Sequence, residues 1–209
     1  MTSILQSLNW LLPAGVHAAT TLRFPGSSER EFAGLNLGTH VGDDLLAVEQ
    51  NRQMLSAALG EAVKPAYINQ VHGHDVIELN SDDYQKLCLR AGDANLPSDA
   101  DALYTQVQNL ALVVQVADCL PILLSDKNGQ EVAAVHAGWR GLASGVISQA
   151  LEKFESKSLT AWLGPAIGPC HYQVDSGVYD RFESASAFKS CGDGAHWMMS
   201  LETLATEQL

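Results

Sequence analysis

Basic residues are scarce in this chain: 12 Lys and Arg stand against 24 Asp and Glu, a formal net charge of −12. A general nucleic-acid binder or an anionic-membrane binder needs a basic footprint, so both classes are excluded as partners. One or two arginines with backbone N–H groups could still hold a phosphate locally. The first 22 residues contain no Lys or Arg, and Leu11-Leu12-Pro13 interrupts a short apolar run, which makes a poor signal peptide. No apolar run approaches the length of a membrane span. The four cysteines, Cys88, Cys119, Cys170 and Cys191, form no CxxC pair and no regular framework. Reduced thiols and a cytoplasmic location are expected. Repeats, heptads and low-complexity segments are absent. What remains is 209 residues with 46 % hydrophobic and 17 % charged side chains, enough for one domain with a substantial core.

The most informative stretch is 110–141. Leu110–Ala117, Leu120–Ser125 and Glu131–His136 read as apolar strands, with Asp126-Lys127-Asn128-Gly129 as a turn between the last two. Asp118-Cys119 follows the first strand, and His136 then Trp139-Arg140 follow the last. A spacing of 17 residues suits adjacent strand ends, where a thiolate and an imidazole would make a metal or catalytic site. A buried free cysteine and a core histidine are the plain alternative. Their position at strand ends beside Asp118 and Arg140 argues for a site.

Elsewhere, Val16–Leu22 reads as a strand, and Val48, Leu55 and Leu59 recur with helical spacing through 48–59, in a helix capped by Asp43 or Asp44 and stopped at Gly60. Ala66–Val71 and Asp75–Leu79 read as paired strands with His72-Gly73-His74 at their tip. A helical piece is expected around Asp83–Arg90, and Asp99 and Asp101 read as turn caps. One amphipathic helix is expected from Leu142 to Phe154, with Arg140 at its positive dipole end, where an anion would be attracted. A strand at Ala161–Leu163 leads into two Gly–Pro pairings, and Cys170-His171 reads as structural. Asp175 or Ser176 caps a helix through Phe182.

The stretches ADCLPILL, AVHAGWRG, LNLGTHVGDD at 35–44, NQVHG at 69–73 and GPAIGPCHYQV at 164–174 resemble the YfiH-type laccase-domain family, whose members are called polyphenol oxidases and purine nucleoside phosphorylases. The resemblance implies an α/β fold, a layered sandwich of mixed β-sheets with helices outside. It places His72 at a motif position and so completes a ligand set of His72, Cys119 and His136. Two imidazoles and a thiolate suit zinc with an open position, and copper is the second option. The resemblance implies phosphorolysis of adenosine, inosine, guanosine and methylthioadenosine, together with adenosine deamination. Purine nucleosides and phosphate are then the partners, with Arg140, Arg23 and Asn36 as candidate substrate-binding residues. Cys119, His136 and Asp118 are the candidate catalytic residues.

Two other activities stay open. Copper-dependent polyphenol oxidation has the right core ligands, but a trinuclear centre needs many more imidazoles than seven histidines supply. A Cys–His hydrolase would use Cys119 as nucleophile, His136 as base and Asp118 as orienter, and the resemblance raises peptidoglycan-precursor editing as its setting. A zinc-stabilised binding module would want a fourth protein ligand. The resemblance also implies a C-terminal continuation bearing serine and paired arginines. Residues 1–209 are thus expected to be a single domain without that segment, as a monomer or weak homo-oligomer.

Overall fold

The computed structural model describes residues 4–89, 96 and 98–209. Leu5–Ser7 (β1) and Ala19–Thr21 (β2) pair antiparallel near the N-terminus. Leu45–Leu59 (α1) follows. The Asp44 carboxylate accepts from the Leu46 N–H at its start, and Gly60, with φ +95°, ends it. Next come Lys64–Tyr67 (β3), Val76–Leu79 (β4) and Ser81–Leu89 (α2). The central strands are Ala102–Thr105 (β5), Leu110–Val113 (β6), Leu120–Asp126 (β7) and Val132–Ala137 (β8). Trp139–Ser144 (α3), Val146–Glu152 (α4) and Leu159–Leu163 (β9) complete the middle of the chain. Gln173–Asp175 (β10), Ser176–Tyr179 (α5), Phe188–Ser190 (β11), His196–Met199 (β12) and Leu201–Gln208 (α6) close it.

The strands form mixed sheets with helices packed outside them, as expected. The largest has the order β4-β5-β8-β7-β9, with β4 and β5 parallel and every other pair antiparallel. β3 and β6 make a separate parallel pair, and β10-β12-β11 a third, antiparallel sheet. Along β7 and β8, Leu120, Ile122, Leu124, Ala133, Val135 and Ala137 join one buried cluster with Leu142, Val146, Ile147 and Ala150 of α3 and α4. α6 adds Leu201 and Leu204 to it. Burying each large side chain here stabilises the fold by roughly 1.5–3 kcal/mol. No helix among the described residues is long and apolar enough to cross a membrane.

Several local expectations change. Residues 66–71 and 75–79 are not a hairpin, because β3 pairs with β6 and β4 with β5. The segment 98–102 lies between them: the Ala100 N–H donates to the Asn69 carbonyl, and those of Asp101 and Ala102 to that of Asp75. The single helix expected from 142 to 154 is two, because Gly145 is left-handed (φ +90°) and breaks it. Only Leu110–Val113 of 110–117 joins a ladder, and only Ala19–Thr21 of 16–22. The helix expected through Phe182 ends at Tyr179, capped by Asp175. Arg90 lies outside the described residues.

Candidate metal centre

Three chain segments deliver the centre. His136 is the penultimate residue of β8 and is 3 % exposed. The β7–β8 register sets Leu120 opposite Ala137, so Cys119, just before β7, falls beside Gly138. A Cβ at Gly138 would lie 2.9 Å from Cys119 Sγ and 3.3 Å from His72 Cδ2, so only glycine leaves this space open. His72 sits in the β3–β4 connection with φ +60°, a left-handed conformation that costs a non-glycine residue roughly 1–2 kcal/mol. One ligand atom each from His72, Cys119 and His136 lie within 4.8 Å of one another. The two imidazoles meet edge to face at 80°, with centroids 4.8 Å apart. One sulfur and two nitrogens converging with a side left open fit the ligand chemistry of a zinc or copper ion.

The two rings are biased in opposite directions. Burial and the neighbouring His136 charge push the His72 pKa down, with Arg140 and His40 adding to this and Asp101 opposing it. Burial also disfavours charge on His136, but a hydrogen bond to Asp101 and the adjacent Cys119 outweigh it and raise that ring to about 9. A metal ion must therefore displace a proton from His136 to bind. The carboxylate bonded to His136 Nδ1, at 2.7 Å, is Asp101 and not Asp118. Asp101 also accepts N–H bonds from Val71, His72 and Gly73, so it is not a simple turn cap.

A cavity of about 910 Å³ is lined by His72, Cys119 and His136 together with Asn36, His40, Asp118 and Trp162. Asp118 is exposed, and its carbonyl accepts from the Ile167 N–H, docking the Gly-Pro loop on this wall. Asn36 lines the cavity, but its amide is engaged with Gly38 and Asp43 and shapes the 36–43 loop. Arg140 is exposed in the first turn of α3, 4.4 Å over the Trp139 ring, and its charge reaches His72 and Tyr172. The helix it opens is only six residues long, so the guanidinium, more than a helix dipole, supplies the positive field. Arg23 is outside the cavity lining, with its Nε–H donating to the Ala33 carbonyl. His74, Cys170 and His171 are exposed and take no part in the ligand group. Tyr172 was not singled out from the sequence. Burial first, and then the neighbouring Cys119, raise its phenol pKa.

Residues 17–209 match the family model described as multi-copper polyphenol oxidoreductase laccase. The chain belongs to this family. Relatives in this laccase-type family include "Purine nucleoside phosphorylase YfiH" of Shigella flexneri, 38 % identical over 205 residues, covering 96 % of this chain and 80 % of the relative. Another is "Purine nucleoside phosphorylase" of Haemophilus influenzae, 42 % identical over 176 residues, covering 83 % of this chain and 67 % of the relative. The crystal structure of Neisseria meningitidis protein NMB0706 is similar with a TM-score of 0.86 and 35 % identity, covering 98 % of this chain and 81 % of that one.

Proposed function

We propose that this chain is a zinc-dependent purine nucleoside phosphorylase, splitting adenosine, inosine, guanosine or methylthioadenosine into free base and (deoxy)ribose 1-phosphate, with adenosine deamination at the same centre. The observation that carries the reading is the convergence of His72, Cys119 and His136 in the lining of a cavity of about 910 Å³. The two relatives named purine nucleoside phosphorylase support the choice of substrate. Thiolate with two imidazoles and an open position favours zinc. When bound, such an ion supplies Lewis-acid polarisation and activates water near neutral pH. The remaining work falls to the chain's own side chains. Arg140, exposed and close enough for its charge to act on His72, holds phosphate through charge-assisted hydrogen bonds. Asp118, exposed and next to Cys119 in the chain, exchanges a proton with the departing purine in this reading. Pro165, Ala166 and Ile167 wall the cavity and exclude water from the base.

The test is elemental analysis of protein purified without added metal, with a nucleoside panel assayed with and without phosphate. About one zinc per chain and phosphate-dependent base release are expected from one three-ligand group. Several coppers per chain with an oxidase spectrum would overturn the reading in favour of polyphenol oxidation. Against that outcome, only one such ligand group converges among the described residues.

The row Cys119, His136, Asp101 favours a second reading, a thiolate nucleophile with an oriented base. That chemistry leaves the edge-on His72 ring without a task. Metal-free, phosphate-independent hydrolysis would select it.

A further inference from the structure

Asp101 is wholly buried, at 0 % exposure, immediately before β5. Its Oδ1 lies 2.7 Å from His136 Nδ1 and also accepts the His72 N–H at 2.9 Å. Its Oδ2 accepts the Gly73 N–H at 2.5 Å and the Val71 N–H at 3.2 Å. Its main-chain carbonyl accepts the His136 N–H at 2.7 Å. A carboxylate can only accept, so the proton shared with His136 belongs to Nδ1, and Nε2 is left for the side that faces Cys119. The same carboxylate gathers three successive N–H groups of a turn whose middle residue, His72, is left-handed.

We propose that Asp101 is the positioning residue of this centre, one carboxylate that fixes the His136 tautomer and the His72 backbone together. The inference rests on the reading of His72, Cys119 and His136 as metal ligands. Both oxygens are needed as acceptors, which an amide of the same shape cannot provide. With its oxygen toward His136, an asparagine would aim N–H₂ at the Val71 and Gly73 donors. Turned over, it would donate to His136 Nδ1, move the ring proton to Nε2 and block that ligand. Either orientation spoils one of the two imidazoles.

The experiment compares zinc binding by the wild-type chain, Asp101→Asn and Asp99→Asn, using competition with a chromophoric chelator. Asp99 is exposed and its carboxylate accepts from the Asn69 side-chain amide, outside the three-residue group, so its variant is the control. Asp101→Asn is expected to bind zinc about 10–100-fold more weakly, the usual effect of losing a ligand's outer partner. Asp99→Asn should match wild type. Ring-nitrogen NMR of the zinc-loaded wild-type chain is expected to find the His136 proton on Nδ1 and the metal on Nε2. That spectrum decides the matter if Asp101→Asn does not fold, and the opposite tautomer overturns the proposal. A folded Asp101→Asn that binds zinc within twofold of wild type overturns it too, while leaving the metal-site reading intact. A wild-type chain that binds no zinc overturns both.

Discussion

Replacing Gly138 by alanine tests whether the open space between Cys119 and His72 is functional. The backbone there has φ −75° and ψ 168°, which alanine adopts without strain. Gly138 is the N-cap of α3 and makes no side-chain cap bond. Alanine at an N-cap is poorer than glycine by up to about 1 kcal/mol, and the stiffer unfolded chain returns about 0.4–1 kcal/mol. Global stability should therefore hardly move. Locally the change is severe. The new Cβ would stand 2.9 Å from Cys119 Sγ, where contacts settle at about 3.5–4.0 Å, so the sulfur must retreat by roughly 0.6 Å or more. Productive sites tolerate displacements of about 0.5 Å. An error of about 1 Å costs on the order of 10²-fold in rate. Gly138→Ala is expected to lose at least about tenfold in zinc affinity and in turnover, with a melting temperature near wild type. Gly168→Ala is the control, since a Cβ there meets nothing within 4 Å. Zinc titration, nucleoside turnover and thermal melting on the three proteins make the comparison. A Gly138→Ala protein with wild-type zinc affinity and turnover would show that the gap is incidental.

Arg140→Ala should weaken phosphate binding by about 1.5–3 kcal/mol, the value of a hydrogen bond to a charged group, or at least tenfold in affinity. Inosine phosphorolysis should then demand more phosphate while adenosine deamination falls much less, and parallel losses would make Arg140 structural. Cys119→Ala should lose most of the bound zinc, whereas Cys88→Ala and Cys191→Ala, both exposed, should keep it; equal loss in all three would mean the site is elsewhere. Tyr104 is 1 % exposed and donates to Glu131 at 2.8 Å. Burial, and then the Glu131 carboxylate, push its phenol up to about 12 against the Gln106 amide. The raised value stabilises the fold fully below the unfolded pKa near 10, and that contribution is lost as pH rises from about 10 through 12, on the order of 2–3 kcal/mol. Denaturant unfolding of wild type and Tyr104→Phe across that range should show a steeper decline in wild type, and parallel curves would refute it.

Local chemistry made part of this molecule legible. α1 could be read from Asp44 and Gly60 because a cap and a left-handed stop act within a few residues of the helix they bound. β7 and β8 were legible because an apolar run, a turn with Gly129 at φ +72° and another apolar run lie next to each other in the chain. The pairing of β3 with β6 was not, since parallel partners lie far apart in sequence and periodicity carries no address. His72 was found by its motif, and the hairpin inferred around it was wrong for that same reason. Asp101 escaped because Asp99 and Asp101 are two apart on extended chain and look alike. Only the fold makes one exposed and the other buried. A carboxylate directly before the apolar strand Ala102–Thr105 was the one available clue, since a buried charge needs partners.

The chain crosses from the β3–β6 pair to the five-stranded sheet at two passages, 68–75 and 114–119, and these carry His72 and Cys119. Those two side chains therefore belong to connections that join the sheets, and His136 to the larger sheet itself. A metal held by all three would clasp those connections to β8. With such an ion bound, any breathing motion that parted the sheets would first have to loosen a coordination bond, so occupancy would suppress local opening. At a free metal concentration 1,000 times Kd, the closed form gains about 4 kcal/mol over states that have lost the site. The centre would then double as a mechanical fastener, and the least protected backbone amides of the metal-free protein are expected along these connections.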